Sequence, residues 1–390
     1  MADGAFKAAV VGPTRVGKTS LLTAVFTETQ DRLGGTELNI ELDERTERLV
    51  HQHQIEQRAV LEQTEFNGAV LAGTQNIEMH GITLRSLNEE SLAIPFDVLD
   101  FPGKWLDPEE RRQARLADGR WTLCERHIRE SMLLLVPIDA AVLMEAVTNE
   151  QKLSSYRRLG IVHVENMVRL WARSRNMADH QQEPATLMLV PVKCEKYLGV
   201  NQRPGADPDA LRARVRDMYG RVLTVVANEA RHRRIDVLYN PVDTFGCVEL
   251  VEGHWVKADA DDGEGAALAL SPRYRLIGKK PEIRVTGASA IMRELAGAVL
   301  AGRAALEAEA ERISVEEQAK LLARRAEAKG FWGTLVFRFG GELSENKASY
   351  HHATQAEARA RRNRAQLDAD MKKLVDNADT SRSENWTVMS

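Results

Sequence analysis

The stretch Gly12-Pro13-Thr14-Arg15-Val16-Gly17-Lys18-Thr19 constrains this chain more than any other. It follows the apolar run Ala8-Ala9-Val10-Val11 and precedes Ser20-Leu21-Leu22-Thr23-Ala24-Val25-Phe26, which reads as a helix. A strand, a glycine-bearing loop and a helix start, in that order, are what a phosphate-binding loop of the Walker A kind requires. Gly12 and Gly17 let the backbone turn tightly, so that main-chain N–H groups of Gly12, Thr14, Arg15, Val16, Gly17, Lys18, Thr19 and Ser20 can turn inward. Those donors and the positive end of the helix dipole form a nest for a β-phosphate. Lys18 then reaches the β- and γ-phosphates, and the Thr19 hydroxyl can sit on Mg²⁺. A nucleoside triphosphate with its magnesium ion is the expected ligand.

The rest of the chain predicts an α/β fold around this loop. Strand-like runs at 76–86, 92–99, 132–138, 186–190 and 235–239 alternate with helix-like segments at 108–130, 151–177 and 207–232. That alternation predicts a mostly parallel sheet with helices on both faces, and ligands in such sheets bind at the carboxyl ends of the strands. The runs 76–86 and 92–99 flank a polar turn at Asn88-Glu89-Glu90 and read as a hairpin. Residues 38–66 lie in an interval longer than a short switch loop and read as an insertion after the first helix, helical from about Asp43. The acidic stretch 253–265 reads as a mobile loop, and 274–285 as an edge strand or hairpin. Beyond about residue 287 the pattern is helical, giving a nucleotide domain at 1–287 and a C-terminal extension at 288–390. Within the extension an apolar patch, 330–337, interrupts one helix, a polar helix covers about 346–376, and the tail to Ser390 reads as disordered.

Composition narrows the class. At 390 residues, 43% of them hydrophobic, the chain can bury a sizeable core, and a net charge of −4 gives no whole-chain reason to expect nucleic acid as a partner. Cys124, Cys194 and Cys247 are widely spaced, which suggests neither a disulfide framework nor a zinc site. No secretory signal is visible, and the most apolar run, 132–147, is broken by Pro137, Asp139 and Glu145, so a cytoplasmic protein is expected.

A second motif strengthens the first. The run Phe96-Asp97-Val98-Leu99-Asp100-Phe101-Pro102-Gly103 ends an apolar strand in Asp-x-x-Gly, one hairpin after the phosphate loop. There an aspartate holds Mg²⁺ through water and a glycine N–H senses the γ-phosphate at the start of a switch, which selects Asp100 and Gly103. Together these residues resemble a P-loop GTPase of the translation-factor-related class. The loop and the run through Leu106 resemble more closely the YcjX-like family of bacterial GTPases, and the double-GTPase proteins of bacterial conflict systems have a similar layout. The resemblance spans about the first 250 residues through short motifs and leaves the last ninety unassigned. It implies GTP and GDP as ligands, Mg²⁺ as cofactor and GTP hydrolysis as the reaction. It also implies a guanine reader of the form Asn/Thr-Lys-x-Asp, where this chain has Val192-Lys193-Cys194-Glu195. Lys193 matches, and Glu195 replaces the aspartate at one methylene more. ATP with an unrelated base site remains the alternative. A third base-contacting loop is placed at Asp243-Thr244-Phe245-Gly246, with Thr244 as the contact. The first-switch threonine, expected to act in catalysis and on the metal, is Thr74, with Thr36 as competitor.

Lys104 stands where Ras-like enzymes place the glutamine that orients attacking water, and an ammonium cannot accept that proton. Turnover is therefore expected to be slow unless a partner, dimerisation or another residue assists. Arg15 is the candidate for that residue. The guanylate-binding proteins are similar at this point, with an arginine at the same place in the loop acting as a finger in cis. Trp105 reads as core, and neither His51 with His53 nor His351 with His352 has metal-site spacing. Arg359, Arg361, Arg362 and Arg364 form a basic cluster that reads as a solvated helix face, with an anionic lipid or acidic partner as the alternative. The apolar patch at 330–337 is expected to dock on the nucleotide domain or on a partner, membrane contact being disfavoured. Two functions remain: a GTP-hydrolysing switch acting on a protein partner through its switches and C-terminal helices, with a nucleotide-dependent homodimer as one form, or a low-turnover nucleotide-bound scaffold.

Overall fold

The structure is a computed structural model and describes residues 4–34, 38–63, 66, 73–87, 93–113, 119–177, 180, 183–199, 206–230, 235–258, 268–311, 315–327, 330–348, 365, 369–376 and 382–386. The first part of the chain runs β1 (Phe6–Val10), α1 (Lys18–Leu33), β2 (Leu38–Leu42), α2 (Glu44–Leu61), β3 (Glu78–Ser86) and β4 (Ala93–Asp100). A 3₁₀ turn at Gly103–Leu106 leads to α3 (Pro108–Gln113), α4 (Arg120–Glu130), β5 (Leu133–Asp139), α5 (Ala140–Met144), α6 (Asn149–Arg158) and α7 (Ile161–Ser174). Next come β6 (Thr186–Val192), α8 (Glu195–Leu198), α9 (Pro208–Met218), α10 (Gly220–Glu229) and β7 (Asp236–Tyr239). The chain continues through β8 (Val248–Lys257), β9 (Leu268–Leu276), α11 (Ser289–Glu311), α12 (Val315–Glu327), α13 (Phe331–Ala348) and β10 (Glu384–Trp386).

Eight of these strands form one sheet in the order β10-β7-β6-β5-β1-β4-β3-β2. The pairs β1–β4, β1–β5, β5–β6 and β6–β7 are parallel, while β3–β4, β2–β3 and β10–β7 are antiparallel. The expected α/β architecture, mostly parallel and covered on both faces, is therefore the one observed. Alternation along β1 explains the two layers, because successive side chains leave a strand on opposite faces. Ala8 and Val10 join Leu21 and Val25 of α1 on one face, and Ala9 and Val11 join Ile128 and Trp171 on the other. Strand β1 lies between β4, which leads back towards the antiparallel edge, and β5, which leads to the later strands. It is thus the switch point of the sheet, the position at which ligands of open α/β sheets bind.

Several expectations need correction. Residues 38–42 form an edge strand rather than the lead-in to a helix, because Leu38 and Ile40 bury on the core face. The helix after them begins at Glu44, where the Asp43 carboxylate accepts the Thr46 N–H at 2.7 Å, and ends at Leu61. The single helix expected at 151–177 is broken at Gly160, whose φ of 59° caps α7 in the left-handed region. The segment 207–232 divides similarly at Tyr219. Strand β8 takes up 253–257 of the presumed loop and pairs with β9 in a separate two-stranded sheet. The apolar patch does not interrupt a helix but starts one. Phe331, Trp332 and Leu335 are buried in the same cluster as Phe6, and the Phe331 and Phe6 rings lie 5.3 Å apart. The tail is not wholly disordered either, since Glu384–Trp386 pair with β7 and the Trp386 ring stacks on Tyr239 at 5.2 Å.

The C-terminal helices share their core with α1. The Ser289 N–H opening α11 donates to Glu28 Oε2 of α1 at 2.8 Å, and Ile291, Leu295 and Val299 pack in the α1-side cluster. The arginine cluster at 359–364 and His351-His352 lie outside the described residues. Among the described residues no helix is long and apolar enough to cross a membrane, and the three cysteines are buried and free.

Candidate nucleotide site

The phosphate loop leaves β1 in a conformation that an ordinary turn does not have. Arg15 (φ 62°) and Gly17 (φ 104°) are both left-handed, and Val16 between them is buried. Backbone of alternating hand turns successive N–H groups to one side, which is the geometry of an anion nest. Gly17 caps α1 without a side-chain hydrogen bond, no acidic residue stands in the first turn, and the Leu21 N–H makes the Leu21-to-Gly17 bond at 2.9 Å. The N–H groups of Lys18, Thr19 and Ser20 therefore remain for a ligand. Gly12 is required by packing: a Cβ there would stand 2.9 Å from Pro137 Cγ and 3.1 Å from Val16 Cγ1.

Lys18 is buried, and its ammonium folds back to donate to the carbonyls of Gly12 and Pro13, each at 3.2 Å. Burial lowers its pKa and the nearby Asp100 opposes that shift. An arriving phosphate would meet an ammonium already in the loop, held by two neutral acceptors that a charged oxygen can outcompete. Thr14 and Arg15 point outward from the same loop and are exposed.

The three residues chosen for the metal come together. Thr19 Oγ1 and Thr74 Oγ1 lie 3.2 Å apart, and the Thr74 hydroxyl donates to Asp100 Oδ2 at 2.6 Å. Asp100 is almost wholly buried, so its carboxyl is pushed above the usual range, with Lys18 and then the Thr74 bond opposing. Its Oδ1 has no hydrogen-bond partner. An orphaned carboxylate oxygen beside two hydroxyls is a hard-oxygen set of the kind that Mg²⁺ takes with phosphate oxygens and water. The residues present fit that ion. Among the described residues no group of three or more His, Cys, Asp or Glu could hold a metal. Thr36, the competitor for the first switch, lies outside the described residues.

Gly103 presses on the phosphate loop more closely than any side chain would permit. A Cβ there would lie 2.2 Å from Pro13 C and 2.2 Å from Thr14 N. The segment after β4 therefore starts in close contact with the main chain of Pro13 and Thr14. Lys104 is exposed, while Trp105 is core and opens the turn with an N–H bond to Pro102 O at 2.9 Å.

The loops after β6 and β7 meet on the other side. Lys193 is left-handed (φ 55°), and its ammonium donates to Arg15 O at 3.0 Å and pairs with Asp139 at the end of β5. Asp139 also caps α5 by accepting the Val142 N–H at 3.0 Å. Lys193 thus ties the loop after β6 to the phosphate loop. Glu195, expected as a free acceptor for guanine, opens α8 buried, with its carboxyl beside Asp243. Burial, and then the Asp243 charge, push Glu195 well above the usual carboxylate range. Burial raises Asp243 too, but its Oδ1 accepts the N–H groups of Phe245 (3.1 Å) and Gly246 (2.6 Å), while Oδ2 has no hydrogen-bond partner. The two backbone N–H bonds hold Asp243 down against its burial, and its charge is the second cause, after burial, that raises Glu195. Thr244 is buried in the same turn.

Sequence reasoning passed over three of these residues. Asp139 looked like a breaker in an apolar run, Asp243 was noted only as part of a loop, and His53 was dismissed as lacking metal spacing. His53 Nε2 in fact lies 3.1 Å from Ser20 Oγ. Its signal was a histidine on the stripe Thr46, Val50, His53, Gln57 and Val60 that α2 buries. Compared with models of known families and with curated proteins, the chain matches none.

Proposed function

We propose that this chain binds GTP or GDP with Mg²⁺ at the switch point of its sheet and works as a slowly hydrolysing P-loop GTPase switch. The observation that carries the reading is the chain Thr19–Thr74–Asp100, which joins the phosphate loop, the first switch and the second switch through one pair of hydroxyls. These residues are remote in sequence, and a structural glycine turn has no need of them. Lys18 and the N–H groups at the start of α1 bind the β- and γ-phosphates, and Arg15 is free to swing over the γ-phosphate. Thr19, Thr74 and Asp100 hold the magnesium ion, which supplies charge neutralisation at the phosphates when bound. The base lies towards Lys193 and the Glu195–Asp243 pair, whose carboxyl oxygens suit the ring N–H and amino group of guanine. The two states of the switches would present different surfaces to a protein partner in the cytoplasm.

The scaffold reading, with little turnover, is favoured by one observation. Lys104 takes the place of the water-orienting glutamine and stands exposed. Both readings need the same binding site, so binding is tested first. Equilibrium affinity for GTP, GDP, ATP and ITP, with and without Mg²⁺, should favour guanine and fall on chelation. Lys18→Ala should lower GTP affinity by at least a hundredfold at unchanged thermal stability. Equal affinity of parent and variant, or no binding by the parent, would overturn the proposal. Multiple-turnover hydrolysis by the pure parent then separates switch from scaffold.

A further inference from the structure

The geometry points to His53 as a positioning residue that sets the Ser20 hydroxyl for the phosphates and so makes helix α2 part of the nucleotide site. This rests on the proposed nucleotide reading and goes beyond it, because α2 belongs to none of the motifs that define the site.

Ser20 lies in the first turn of α1, where its own N–H remains unbonded inside the helix. Its hydroxyl is 3.1 Å from His53 Nε2, and His53 is buried. The other ring nitrogen, Nδ1, stands 3.6 Å from Glu56 Oε2, whose charge favours a proton on Nδ1 and so an accepting Nε2 while no ligand is bound. Burial disfavours the charged ring, with Glu56 opposing, and a neutral imidazole offers one donor and one acceptor.

Direction then decides the effect. If Nε2 accepts, the Ser20 hydroxyl spends its proton on the histidine and turns lone pairs to the nest. If Nε2–H donates, the Ser20 proton is free for a phosphate oxygen. A bound polyphosphate accepts and never donates, so it selects the second arrangement, a relay from Nε2–H to Ser20 Oγ–H to phosphate.

The helix that carries His53 is braced on both sides. Gln54 Nε2 donates to Thr27 Oγ1 of α1 at 3.4 Å, and the Gly81 N–H of β3 donates to Thr46 Oγ1 at 3.1 Å. Asp43 at the start of α2 packs so close to Gly81 that a Cβ there would meet its Oδ2 at 2.4 Å. His53 is therefore aimed by the fold, and a movement of α2 would be felt at Ser20.

The test is a cycle on the full chain, reading GTP and GDP affinity by titration and thermal stability without nucleotide. His53→Gln keeps an amide donor at a similar reach, His53→Phe keeps a ring without one, and Ser20→Ala removes the hydroxyl that either would set. The expected result is that Gln stays within about threefold of the parent, while Phe and Ser20→Ala each weaken binding about tenfold. Phe added to Ser20→Ala should cost no more than about twofold further. Phe weakening both backgrounds equally, Gln weakening as much as Phe, or an unchanged affinity in the Phe variant would each overturn the inference. Lys18→Ala, measured beside them, keeps the two ideas apart. If it loses GTP while the His53 series is flat, only the role of His53 falls, and if the parent binds nothing, both fall.

Discussion

Gly103→Ala is the substitution for which the structure gives the most definite consequence. The added Cβ would stand 2.2 Å from both Pro13 C and Thr14 N, where contacts under 3.0 Å do not occur, and both atoms are main chain. No rotamer can relieve this, so the phosphate loop and the second switch must separate by about 1 Å to restore ordinary contact. On the proposed reading the loop aims its N–H groups at phosphate oxygens at about 3 Å, and a displacement of about 1 Å in such a site costs about a hundredfold. GTP affinity should therefore fall by about 2.7 kcal/mol. The strain itself should lower stability by about 1–3 kcal/mol. Gly220→Ala is the control, since a Cβ there meets nothing within 4 Å. Titration with GTP and urea unfolding of the two variants and the parent decide the matter. A Gly103→Ala protein that bound GTP within threefold of the parent at unchanged stability would show that the two loops do not act through this contact.

Three further expectations follow from other parts of the molecule. Arg15→Ala and Arg15→Gly should both lower kcat at least tenfold with GTP affinity nearly unchanged, and glycine should be the more stable by about 1 kcal/mol because φ at this position is 62°; an unchanged kcat would rule the arginine finger out. His80 and His127 are held neutral by burial, with pKa values lowered from 6.5 to about 4, so the unfolded chain takes up these protons first and stability falls as pH drops from about 6.5 towards 4, by up to about 3 kcal/mol for each. His127→Gln, which keeps a donor for Ala8 O in place of the 2.9 Å bond, should flatten that acid loss in urea unfolding, and an identical slope in variant and parent would refute the assignment. Phe331→Ala should cost about 3–5 kcal/mol whereas Phe337→Ala should stay within about 0.5 kcal/mol, because the first ring is buried against Phe6 and the second is 70% exposed; similar losses in thermal unfolding would overturn that account of α13.

What was legible in the sequence was whatever chemistry requires to be contiguous. A phosphate nest needs its glycines, lysine and threonine within eight residues, and a strand that ends in Asp-x-x-Gly announces its own position. Strands β3 and β4 are long enough to show a period, and β5 stands out as a continuous apolar run buried along its whole length. The misread elements are short or are defined by remote partners. Strand β2 has five residues and reads in the sequence as the start of the insertion at 38–66. Strand β10 has three and exists because β7 leaves an edge that it covers, with Trp386 on Tyr239. The apolar patch at 330–337 reads as an interruption because its partner, Phe6, is more than three hundred residues away.

Glu195 marks the limit of such reading most clearly. Its position in a motif argued for an acceptor open to the base, and that argument assumed the side chain had no competing partner. Asp243 is that partner, and it arrives from a different strand end. Burial raises both carboxyls, and the Asp243 charge raises Glu195 further. On the proposed nucleotide reading, base selectivity would depend on the Glu195–Asp243 pair as a unit, and the single-position pattern Lys-x-Glu holds only half of that information.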